Sequence, residues 1–151
     1  MATTMTTEEV LDVVRQRIGQ AISEIGGNAP VYPDDFLIRY IKSINLELIV
    51  LGVKTNVDID INTVVINPNP SIAIGMLLAY GVASSLVGSD LLDRLRNGEL
   101  GISFTSGASA ISTNQAGLYL KQYANFLYNS YNGLLTAYLS GDPNTVLGRD
   151  Q

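Results

Sequence analysis

The chain has 151 residues, 46% of them hydrophobic and 15% charged, with 14 Gly, 5 Pro and no Cys, His or Trp. That length suits one domain with a core of ordinary size, while the charged share is well below the usual quarter. Without Cys or His there is no thiolate nucleophile, disulfide framework, zinc finger or imidazole-assisted serine chemistry, and a net charge of −5 opposes a tight grip on phosphates by counterion release. A surface this poor in charge is expected to meet other protein chains or lipid.

Residues Met1 to Met5 lack a basic region followed by an apolar run, so no secretory signal is expected and the cytoplasm is the default compartment. The first helix is signalled at Thr6, with Glu9 three residues on in a capping-box pattern. Val10, Val14, Ile18, Ala21, Ile22 and Ile25 follow at helical spacing, and Gly26-Gly27-Asn28-Ala29-Pro30 ends the run. Pro33 opens a second helix, with Asp34 and Asp35 suited to the positive end of its dipole. Phe36, Leu37, Tyr40, Ile41, Ile44, Leu48 and Leu51 form its expected buried face, and Gly52 stops it.

From Val53 to Val65 the apolar period changes to two, which predicts a half-buried strand or extended arm. Its partner is expected either at Leu100 to Thr105 or in a neighbouring chain, because an isolated two-stranded element is marginal. Asn67-Pro68-Asn69-Pro70 is punctuation before a third helix over about Ser71 to Val87, which lies in a stretch from Ile61 to Ser89 with no charge at all. Gly88-Ser89-Asp90 is expected to break or kink it ahead of an amphipathic turn that ends at Asn97-Gly98. Ser112 with Gln115 predicts the start of a last helix running to about Leu139, with Gly141 as its stop. At about 100° per residue, Gln115, Gln122, Asn125, Asn129, Asn132 and Thr136 fall on one stripe. Tyr123, Leu127, Tyr131, Leu134 and Tyr138 lie opposite, and Lys121 is the one charge on that helix.

Chemistry-bearing patterns are sparse. Asp58 with Asp60, and Asp34 with Asp35, are paired carboxylates of the kind that run acid–base chemistry or hold hard cations. Their simpler role is a solvated strand face and a helix-dipole complement. Gly98 to Gly101 and Gly107 to Ala110 lack phosphate-loop and hydrolase-elbow spacings, so they read as turns. The apolar helix near 72–87 approaches the length of a membrane span, yet its flanks carry Asp58, Asp60, Asp90 and Asp93 with no Lys or Arg at its immediate ends and no Trp belt. The tyrosines of the last helix lack the interleaved cations of a base-stacking surface. Neutral amides where a monomer would place Lys and Glu point to a crowded subunit contact or the wall of a channel.

The order of these features resembles the helical head-to-tail connector proteins of tailed bacteriophages, the adaptors or head-completion proteins. The resemblance rests on the short first helix, on Tyr32-Pro33-Asp34-Asp35-Phe36-Leu37-Ile38-Arg39-Tyr40-Ile41, on Gly101-Ile102-Ser103-Phe104-Thr105-Ser106-Gly107 as an extended loop, and on Ser112-Thr113 launching a long helix. It spans about residues 6–140, and the uncharged stretch from Ile61 to Ser89 departs from it. The resemblance implies a ring, typically a dodecamer, beneath the portal vertex that continues the DNA conduit toward the tail. It also implies docking on the portal through the C-terminal segment, here with Pro143, Val146, Leu147 and Arg149.

The expected fold is therefore mainly α: a helical bundle over residues 1–140 with a long C-terminal helix and a short extended or β element, followed by an arm over 141–151. The expected function is a non-enzymatic structural protein of the virion neck, made in the host cytoplasm and needing no cofactor. Its expected partners are the portal protein, the next neck or tail-terminator ring and other copies of itself. DNA passes through without specific binding, and no membrane is engaged. Tyr123, Leu127, Tyr131, Leu134, Tyr138, Val57, Ile59 and Ile61 are the expected subunit-interface residues, and Gln122, Asn125, Asn129 and Asn132 the stripe facing channel or neighbour. The alternatives are a small membrane-associated protein anchored by residues 72–87, and an enzyme working through carboxylates alone.

Overall fold

The computed structural model describes residues 3–23, 32–96 and 108–140, with side chains over 3–19, 32–89 and 121–140. Its elements are α1 (Thr7–Ser23), α2 (Asp34–Val50), β1 (Asp58–Asp60), β2 (Val65–Asn67), α3 (Ile72–Arg96) and α4 (Ala108–Ser140). The protein is mainly helical, with one small antiparallel sheet and a long final helix. Helix α3 packs against each of the other three helices, which explains why it is apolar on nearly every side.

Each local start or stop has a physical cause. At α1 the Thr6 N–H donates to Glu9 Oε1 at 2.9 Å and the Glu9 N–H donates to Thr6 Oγ1 at 3.1 Å, the reciprocal bonding of a capping box. Helix α2 ends in a Schellman motif: Gly52 takes φ +100°, its N–H bonds the Ile49 carbonyl at 3.1 Å, and the Val53 N–H bonds the Leu48 carbonyl at 2.9 Å. Arg15 of α1 donates to the Tyr32 carbonyl at 2.9 Å and pairs with the Asp34 carboxylate, joining the middle of α1 to the entry of α2. Ser71 caps α3, its Oγ accepting from the Ile74 N–H at 3.3 Å, so that helix begins at Ile72 rather than Ser71.

The core runs through all four helices and the hairpin. Val10, Val14, Leu37, Ile38, Ile41, Leu48, Ile66, Leu77, Leu78 and Leu127 are its largest fully buried side chains. Close helix approach is set at Gly81, where an added Cβ would lie 2.7 Å from Ile44 Cγ2 and 3.0 Å from Tyr131 Cε1. That one small residue lets α2, α3 and α4 converge.

Five sequence expectations need correction. The alternation from Val53 onward is not one long strand: Val53 to Val57 forms no strand and Asn56 takes a left-handed φ of 57°, β1 follows, residues 61–64 turn, and β2 returns, with Asp58 opposite Asn67 and Asp60 opposite Val65. The turn is set by Asp60, whose Oδ1 accepts from the Asn62 and Thr63 N–H groups at 2.9 and 3.3 Å, a side-chain turn that competes with strand continuation. The partner of β1 is therefore β2, while Leu100 to Thr105 lies outside the described residues. Gly88-Ser89-Asp90 does not break α3, since Gly and Ser cost about 1 kcal/mol or less each inside a helix and no proline is present. Ser112 lies inside α4, which begins at Ala108. Leu51 is 46% exposed rather than buried, because it follows the last helical residue and turns off the apolar face.

Candidate functional site

Helix α4 has two faces of opposite fate. Leu127, Tyr131 and Leu135 point into the core, and Tyr123, Leu134 and Tyr138 are half-buried against it. Gln122, Asn125, Asn129 and Thr136 are exposed, and Asn132 is half-buried. Phe126 and Tyr128 flank this amide stripe, 52% and 57% exposed, and Lys121 is the one charged side chain of the described part of the helix. Tyr123 stays close to Phe126, with ring centroids 5.7 Å apart.

The residues expected at a subunit contact are thereby sorted. Val57, Ile59, Leu127 and Tyr131 are each less than a tenth exposed within this single chain, so they serve its own core and present no surface to a second copy. Ile61 is half-buried against the same core. The amide stripe does face outward. Phe126 and Tyr128, which the sequence reading did not single out, are the large side chains that surface adds. Their helical phase was the available signal: each lies within about 100° of the stripe centre, on opposite sides. Pro143, Val146, Leu147 and Arg149 lie outside the described residues.

A second exposed apolar cluster closes α2. Leu46, Ile49, Val50 and Leu51 are all about half or more exposed, Val50 at 85%. The end of α4 reaches this region, since an added Cβ on Gly52 would sit 3.8 Å from Leu139 Cδ2. Beside it lies an open groove of about 530 Å³, bordered by Ile49, Gly52, the run from Val53 to Val57, Asp58, Asn67 and Pro68.

The titratable groups do local structural work. Hydrogen bonds from the Asn62 and Thr63 backbone and the Thr63 side chain hold the exposed Asp60 carboxyl below its ordinary range. Burial pushes the Tyr131 hydroxyl up to about 12, aided by the Glu47 carboxylate. That hydroxyl has no hydrogen bond of ordinary geometry among the described residues, so Glu47 acts on it by charge and a looser polar contact. Asp34 is held by Arg15 and Asp60 by its turn. Among the described residues, no three acidic side chains converge into a cluster able to hold a metal ion.

The arrangement is suited to docking. Aromatics raise and charges lower the favourability of an interface core, and Asn and Gln each offer both donors and acceptors to whatever covers them. An exposed face of Asn, Gln, Phe, Tyr and Thr with one cation has that composition. Helix α3 also contains 18 residues, Ile72–Ser89, long and apolar enough to cross a membrane by length and composition. Ile74, Leu77, Leu78, Val82, Leu86 and Val87 of that stretch are packed in the protein core. No family model, curated protein or solved structure matches this chain.

Proposed function

We propose that the protein is a structural subunit of a tailed-phage neck, assembling into a ring that joins the portal to the tail and continues the DNA conduit. The observation that carries this reading is the outward face of α4, where Gln122, Asn125 and Asn129 lie exposed between Phe126 and Tyr128 with no carboxylate among them. An isolated subunit gains nothing from leaving such a face uncharged, whereas a subunit packed among neighbours avoids burying charge. The net charge of −5 supports a conduit role, because a lumen rich in Lys and Arg would bind DNA phosphates and slow its passage. Portal attachment through residues 141–151 belongs to the same reading, which takes it from the resemblance in sequence.

Negative-stain electron microscopy of the purified chain in detergent-free buffer tests it. Closed rings with an axial opening are expected, in keeping with the heterologous contacts that cyclic assemblies use. Material that stays dispersed only with detergent would overturn this reading in favour of a membrane-associated protein using Ile72–Ser89.

A further inference from the structure

We infer that the exposed apolar end of α2 is the counter-surface of the α4 face: the α2 end of each subunit seats on the Phe126 flank of α4 in the next copy. The inference rests on the neck reading and names the two surfaces that meet in its ring. Leu46 and Val50, four residues apart, stand on the side of α2 opposite the buried Leu48, and Ile49 and Leu51 extend the patch. With Leu139 these residues leave roughly 500 Å² open, the apolar centre of an interface of standard size, which takes about 800 Å² from each partner. No charged residue occurs from Leu48 to Val53, so covering this stretch buries no charge.

The position of the patch on the subunit decides its occupant. Ile44 and Tyr131 both approach Gly81, and Leu139 lies beside Gly52, so the end of α2 runs alongside residues 131–139 of α4. Leu139 follows Tyr128 by eleven residues, about 20° of helical phase, which puts the α2 end on the Tyr128 flank. The other flank carries Phe126, Ser130, Gly133 and Ala137 within about 60° of one another, and no charged side chain lies on it among the described residues. Each copy therefore presents two unlike apolar faces on opposite flanks of the amide stripe. Like faces that met would pair two copies and stop there. Unlike faces on opposite flanks repeat one contact from copy to copy, as a closed ring requires. Gly133 marks the seat. It is exposed in the middle of α4, and a Cβ added there would meet nothing within 4 Å, so the subunit's own packing does not call for glycine. Glycine inside a helix is destabilising relative to alanine but permits close approach, and here it leaves a shallow site beside Phe126 for Val50, 85% exposed, of the next copy.

The absence of cysteine allows a direct test on the full chain. Val50→Cys and Asn129→Cys, both at exposed positions, are introduced together and singly. The parent's mass is taken by light scattering, and a short bis-maleimide crosslinker, which tolerates small errors of register, is applied before denaturing gels. The expected result is a ladder of covalent multimers from the double variant and monomer bands alone from either single variant. In a second arm, Leu46→Asp with Val50→Asp is expected to keep the parent's circular dichroism, since both side chains are exposed, and to lower the mass from many subunits to one. A parent of many subunits whose double cysteine variant gives no ladder, or whose mass survives the two aspartates, overturns this pairing of faces and leaves the neck reading standing. Dimers from either single variant also overturn it, because like faces would then meet. A parent mass of one subunit overturns the neck reading and this inference with it.

Discussion

Helices α3 and α4 are both nearly free of charge in their described side chains, yet they use that feature in opposite ways. In α3, Leu77, Leu78, Ala79, Val82 and Ala83 are fully or almost fully buried, and the helix touches every other helix. In α4 only one side enters the core, while the other presents amides and aromatics to the exterior. A run without charge is thus no measure of burial. The nature of the neutral residues separates the two cases: aliphatics and Gly in α3, Asn, Gln and Tyr in α4.

Substitutions on the two sides of α4 sharpen this contrast most. Leu127→Asp places a carboxylate at a fully buried position and is expected to abolish folding, a loss of several kcal/mol. Asn129→Asp, on the exposed side, is expected to shift stability by no more than about 0.5 kcal/mol. Urea denaturation followed by circular dichroism checks both, and equal effects would break the two-face account. Gly81→Ala probes the central helix. Its new methyl meets Ile44 and Tyr131, and a loss of about 1–3 kcal/mol is expected from overpacking.

Smaller effects come from the titratable groups. Tyr131 is raised in the folded state to about 12 from an ordinary value of 10.0. Its contribution is therefore fully present below pH 10 and declines as pH rises toward 12, where the unfolded chain ionises first. Tyr131→Phe is expected to flatten that alkaline decline and to cost little at neutral pH, because the lost hydroxyl had no ordinary hydrogen bond. Thermal melts across alkaline pH measure it. Asp60 has the opposite sign. Its lowered folded value gives a contribution present above the usual carboxylate range and lost as pH falls through that lowered value. Asp60→Ala is expected to weaken the turn slightly at pH 7 and to remove this acid-side dependence, read from hydrogen exchange of the Asn62 and Thr63 amides.

Much of the fold was legible because its signals are local. The capping box at Thr6 and Glu9, the stop at Gly52 and the inward face of α2 from Leu37 to Leu48 follow from short-range chemistry. The long strand was misread because alternation from Val53 to Val65 carries no mark of a fold-back. Its signal was instead Asp60-Ile61-Asn62, where a carboxylate can bond the amides that follow. The break expected at Gly88 failed since tertiary packing of α3 outweighs a weak propensity. On α4 the amides lie outward as their helical phase predicts, with Asn132 half-buried, while Leu127 and Tyr131, expected at a neighbour, belong to the chain's own core. Periodicity tells which residues share a face and is silent on whether that face meets the same chain or another. The groove beside β1 was not legible at all, because it depends on how the hairpin and the end of α2 meet in space.

The central claim is that the outward face of α4 is an assembly surface. Light scattering on the purified protein, compared with a Phe126→Asp, Tyr128→Asp variant whose circular dichroism matches the parent, tests it most directly. The expected result is a mass of many subunits for the parent and of a single subunit for the variant. The same mass for both proteins, whether one subunit or many, would contradict it.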